Sequence, residues 1–169
     1  MIKQNKTGIA ISFLSFIIFF FVCLFYSIGT ISLKIGSATP FTVLPLLTAY
    51  AIFVSPQRSL IAGLLVGIYL DSTSGGTYCF NAVVLMLVSV LVCITANNLF
   101  NKNLRATFVI ALLSAIAYYI AYWAVFFIWG YSLKDSLTYL IGTGFPSAIY
   151  TSLFIFPFYF IFKFLQKFK

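Results

Sequence analysis

Two stretches, Ile9–Leu33 and Ala106–Gly130, each run 25 residues without one charged side chain. As helices they would extend about 38 Å at 1.5 Å per residue, beyond the roughly 30 Å of bilayer hydrocarbon. Such runs constrain the fold more than any motif, because a chain this short has nowhere but lipid to put them. Composition agrees: 63% of the 169 residues are hydrophobic, 7% are charged and mean hydropathy is +1.11. A soluble domain carries roughly a quarter charged residues. The expectation is one all-α polytopic transmembrane domain over residues 1–169, with no soluble domain at either end. The first run is too long for a signal-peptide core and lacks a small-residue cleavage signature, so it reads as a retained helix.

Apolar runs and their breakers divide the chain into six segments, about 9–33, 40–55, 59–71, 78–100, 106–130 and 147–162. The second is interrupted by Pro45 and closed by a turn at Pro56-Gln57-Arg58. The second and third are short, about 17–24 Å of helix each. Either the two form a tight hairpin sheltered by other helices or the bilayer thins around them. Short backbone at membrane depth needs cover from protein or water, so this hairpin is expected at the centre of the bundle. Tyr131–Pro146, with Lys134, Asp135, Gly142 and Gly144, reads as an outer loop with one interfacial helical turn. The last segment is expected to kink near Pro157.

Charge orients the bundle. With six spans, Lys3, Lys6, Arg58, Lys102, Arg105, Lys163, Lys167 and Lys169 fall on one side, and only Lys34 and Lys134 on the other with both acids, Asp71 and Asp135. Cationic loops stay in the cytoplasm, which places both termini there. The cell membrane is the expected location. The ten basic residues are too scattered for nucleic acid, and no aromatic and basic motif supports it.

Catalytic chemistry has little to work with. Histidine is absent, removing the commonest general base and metal ligand. Cys23, Cys79 and Cys93 lack metal or disulfide spacing. Two acids confined to the outer surface do not make an intramembrane aspartyl dyad. Serine nucleophiles would need a lysine base, and the outer lysines lie in loops. No enzyme activity, metal or cofactor is expected.

The distinctive stretch is Ser59–Gly76, SLIAGLLVGIYLDSTSGG, where Gly63, Gly67 and Asp71 recur at four-residue steps. Residues four apart stack on one helix face, and small residues at that spacing let a second helix approach to backbone contact in lipid. A carboxylate at the edge of an apolar helix is costly unless wetted or paired. Its candidate partners are Lys34, Lys134, Asn81 and the amides of the Ser72–Thr77 loop. A plain helix end in water is the simpler reading. Arg58 lies thirteen residues away, about 20 Å along a helix, and reads as an inner anchor with some capacity to grip a partner.

These residues carry a resemblance. Pro40…Tyr50…Pro56-x-Arg58, then Gly63-x-x-x-Gly67-x-x-x-Asp71-x-x-x-Gly75 and an apolar span, resembles the MreD family of rod shape-determining membrane proteins. The match spans roughly residues 40–100, and the ordered set carries it rather than any one motif. One position departs: where a glycine is expected near the start of the fourth span, this chain has Cys79. That leaves open how closely the third and fourth helices approach at their outer ends. The resemblance implies a non-enzymatic component of the cell-elongation machinery (the elongasome), acting in peptidoglycan synthesis beside MreC and RodA with its penicillin-binding protein, and indirectly MreB. On that reading Gly63, Gly67, Asp71, Gly75 and Arg58 form a helix-packing or partner interface, and assembly with a second copy stays open.

The alternative is the substrate-binding subunit of an energy-coupling-factor vitamin transporter, also a small six-helix protein. That class is expected to show Ala-x-x-x-Ala on its first helix, whereas here Ala10 is followed four residues later by Leu14.

Overall fold

The computed structural model describes Ile17, Phe21 and residues 38–74, 79–98, 103–127 and 133–166. Nearly all of them are helical: α1 Val43–Phe53, α2 Pro56–Ser74, α3 Phe80–Asn98, α4 Leu104–Phe126, α5 Leu133–Tyr139, a π-helical segment Leu140–Gly144, α6 Phe145–Leu153 and α7 Ile155–Gln166. Phe80–Asn98, Leu104–Phe126 and Lys134–Phe164 are each long and apolar enough to cross a membrane, and α1 is a shorter apolar helix. Their length and composition are those of a membrane-embedded protein. The first apolar segment, Ile17 and Phe21 apart, and Gly75 lie outside the described residues.

The α1 sequence, VLPLLTAYAIF, is apolar all round, the pattern of a helix surrounded by others. Val43, Leu44, Leu46, Leu47, Ala49, Ala51 and Ile52 are at most 1% exposed. Around it stand α3, α4 and α7. Pro45 is tolerated because the first-turn amides of a helix have no internal acceptor. Thr48, buried in this apolar setting, donates to the Leu44 carbonyl (2.8 Å) and lies 3.3 Å from the Ser114 hydroxyl on α4.

Several expectations need correction. Pro56-Gln57-Arg58 is not a closing turn but the first turn of α2, where proline's fixed φ suits the opening position. That makes α2 19 residues long, about 28 Å. Nor is the hairpin central as a pair. α1 is at the centre, whereas α2 lies at the edge with Ile61, Leu65 and Ile68 about half exposed. Nor is Tyr131–Pro146 a loop, because the chain is helical from Leu133 onward. Pro146 brings no amide to this stretch, and the preceding turn widens to a π segment, with the Phe145 N–H donating to the Leu140 carbonyl. The last helix breaks at Phe154, three residues ahead of Pro157, where the ring lacks an N–H for the preceding turn.

Candidate interaction site: a small-residue seam and its clasps

The seam between α2 and α3 is built from one row. Ser59, Gly63, Gly67 and Asp71 follow each other at four-residue steps along α2 and meet Ser89, Leu85, Ala82 and Asn81 in reverse order on α3. A Cβ on Gly63 would fall 2.5 Å from the Ser89 hydroxyl and 2.6 Å from the Leu85 carbonyl oxygen. On Gly67 it would strike the Ala82 Cα and lie 2.5 Å from the Ala82 nitrogen and the Asn81 carbonyl oxygen. Backbone therefore rests on backbone at both glycines, as the four-residue spacing predicts.

Polar groups close both ends. At one end the Ser59 hydroxyl donates to the Ser89 carbonyl (2.8 Å), and the Ser89 hydroxyl shares its proton between the carbonyls of Ser59 and Met86 (2.9 Å each). Both serines are at most 1% exposed, so these bonds are made away from water. At the other end the half-buried Asp71 accepts three bonds from described residues. Its Oδ1 takes the Asn81 amide (3.1 Å) and Asn81 Nδ2 (2.9 Å), and its Oδ2 takes the Ala82 amide (2.9 Å). Two of these donors are first-turn amides of α3, which have no partner within their own helix. A carboxylate at a helix start also meets the positive end of the helix dipole. Asp71 does not end α2, which runs on to Ser74, but caps α3 from the preceding helix.

The network continues inward. Asn81 Oδ1 accepts the Tyr118 hydroxyl at 2.7 Å, linking α2 through α3 to α4. Tyr118 stacks on Phe41 at 4.7 Å and meets Phe80 at 6.0 Å. Among the expected partners of Asp71 the structure supplies Asn81. Among the described residues the amides it engages are those of α3, and Gly75–Thr77 of the expected loop lie outside the described residues. Lys134 is exposed on α5, and Lys34 lies outside the described residues. Arg58 is exposed at the opposite end of α2 and takes no part in the clasp.

Cys79 stands where a glycine is expected near the start of the fourth span. Its φ is +62°, the left-handed region that glycine occupies without strain. The backbone at Cys79 thus keeps the conformation a glycine would take, and α2 and α3 stay in contact at Gly67.

A second polar group was not legible as a site. Pro40 contributes no amide, and the amides on either side of it, Thr39 and Phe41, donate to the hydroxyls of Ser147 (3.1 Å) and Thr151 (3.0 Å) on α6. The Tyr119 hydroxyl donates to the Thr39 carbonyl at 3.0 Å. Ser147 and Thr151 also stand four apart, but serine and threonine at that spacing are too common in apolar helices to signal a site. On the surface between α3 and α4 lies a groove of about 180 Å³, lined by Val88, Val92, Thr95, Ile110 and Ser114 among others. That is below the usual volume of a ligand pocket, and few polar groups converge on it. Among the described residues no three His, Cys, Asp or Glu side chains gather as a metal site. Together the glycine row and its polar clasps make a helix-packing device. Comparison with family models, curated proteins and solved structures gives no match.

Proposed function

We propose that this chain is a non-enzymatic, MreD-like component of the bacterial cell-elongation machinery, a scaffold that helps hold MreC and the RodA–penicillin-binding protein synthase at sites of peptidoglycan synthesis. The observation that carries the reading is the ordered set from Pro40 to Gly75, whose central members Gly63, Gly67 and Asp71 form one physical unit, the seam with α3. In this reading Asp71, by capping α3, fixes the outer turn where the extracytoplasmic part of MreC would meet the bundle. Six spans with both termini cytoplasmic fit the proposal. On this reading α3, α4 and the stretch from α5 to α7, the three helices long and apolar enough to span, would be joined by α1, α2 and Ile9–Leu33 to make six crossings. Arg58, Arg105 and Lys163 lie toward one end of these crossings, and Asp71, Lys134 and Asp135 toward the other.

Affinity purification from native membranes tests the proposal. Co-purification of MreC and RodA is the expected outcome, whereas an ATPase pair with a bound vitamin would replace this reading by the transporter one. Topology has its own check: cysteine probes at Asn101 and Lys169 should react only from the cytoplasm, and one at Ser74 only from outside.

A further inference from the structure

Length along α2 does not match length along its neighbours. Between Arg58 and Asp71 lie thirteen helical steps, about 20 Å, and the uninterrupted apolar part from Leu60 to Leu70 covers about 16 Å. The uncharged part of α4, from Ala106 to Phe126, covers about 30 Å. The seam sets α2 alongside α3, so the short helix cannot escape the comparison by lying elsewhere. Nor do the described residues shelter it: Leu60, Ile61, Leu65 and Ile68 are 38–54% exposed, and polar residues at both ends, Gln57, Arg58, Ser72 and Thr73, are exposed too.

We propose that the outward face of α2 is a lipid-contact surface that draws the bilayer thin along one flank of the bundle. Two observations favour lipid over a partner helix. The small residues of α2 are spent on the seam, leaving bulky side chains outside, and these do not permit the close backbone approach by which helices associate in lipid. At the end bearing Arg58, the charged side chains among the described residues are Arg58, Arg105 and Lys163, all exposed cations. That charge suits anionic headgroups drawn in where the hydrocarbon thins. A short hydrophobic stretch is accommodated in this way at modest cost per ångström.

The test compares two pairs of exposed positions with nearly equal separation. Gln57 and Ser72 are fifteen residues apart on α2, and Val109 and Val125 are sixteen apart on α4. An environment-sensitive fluorescent amino acid is placed singly at each position in the full chain, reconstituted in eighteen-carbon phosphatidylcholine with phosphatidylglycerol. Probes at Gln57 and Ser72 should be quenched several-fold more by aqueous iodide than probes at Val109 and Val125, while a probe at Leu65 is quenched by brominated lipid. Equal shielding of all four positions from iodide means no thinning and overturns the proposal. Shielding of the Leu65 probe from brominated lipid means that protein covers the flank, which overturns it as well.

Discussion

Only Val54 and Ser55 separate α1 from α2, yet the two helices are held by opposite means. α1 is fixed by bulk, with three leucines, a valine and an isoleucine packed on every side and almost no surface left. α2 is fixed by the lack of bulk, with two glycines that let it lie on α3 and a polar clasp at each end. In lipid the difference matters, because moving a leucine from acyl chains to a protein interior gains little transfer energy. What holds α1 is dispersion and shape. The hold on α2 adds backbone proximity and hydrogen bonds made away from water. The seam should therefore break sharply with one misplaced atom, and the socket should yield gradually.

Gly67→Leu is the largest expected break. Overpacking usually costs about 1–3 kcal/mol, and here the obstacle is the Ala82 backbone, which cannot rotate away, so about 3 kcal/mol or more is expected. Leu47→Ala in the socket should cost less, about 2 kcal/mol, the low end of the range for such truncations in water. Reversible unfolding in bicelles ranks the pair, with Ile68→Ala on the exposed face as the neutral reference. If Gly67→Leu proved as mild as Ile68→Ala, the contrast between seam and socket would fail.

Asp71→Asn comes next. The amide keeps a turn-compatible shape but gives up the charge that α3 amides and the helix dipole meet, and hydrogen bonds to charged groups are worth roughly 1.5–3 kcal/mol. Faster hydrogen exchange at the Asn81 and Ala82 amides is the expected sign, with normal membrane insertion and weaker co-purification of MreC or the synthase. Unchanged exchange would mean that the charge adds nothing to the cap.

Cys79→Gly should act in the opposite direction. Relieving a left-handed non-glycine residue is worth about 1 kcal/mol, offset in part by the added freedom of the unfolded chain. A small rise in the unfolding midpoint is expected, and a fall would mean that the exposed thiol makes a contact the helix end needs.

Ser59→Ala is the mildest. Interhelical hydrogen bonds in membrane proteins average about 0.6 kcal/mol. Only the bond from the Ser59 hydroxyl to the Ser89 carbonyl is lost, and the Ser89 hydroxyl keeps both its acceptors, the backbone carbonyls of residue 59 and Met86. A loss as large as that of Asp71→Asn would show that the two ends of the seam contribute equally.

Which parts of this were legible in the sequence follows from the same physics. The row Gly63, Gly67, Asp71 could be read directly, because glycines and a lone acid stand out against an apolar background. Its first member, Ser59, and its counterpart, Ser89, could not, since a serine in an apolar helix more often bonds its own preceding turn, as Ser114 and Ser152 do here. The edge position of α2 was hidden because shortness alone suggested shelter, and only contacts distinguish a sheltered short helix from one that deforms its surroundings. The stretch from Leu133 to Pro146 misled through accumulation. Lys134, Asp135, Gly142, Gly144 and Pro146 are each loop signals, but the exposed flank takes the charges, and the π segment takes up the missing amide.

The carboxylate that caps α3 also bears on how the chain enters the membrane. Residues are threaded from the ribosome in order, so Asp71 emerges before the amides of Asn81 and Ala82 that it receives. Those amides would be costly to carry alone into a low-dielectric phase, and the acceptor is already waiting when they arrive. α2 and α3 are thus suited to partition as one hairpin, with the second helix completed by the first, and a nascent chain arrested between them would hold the acid without its donors.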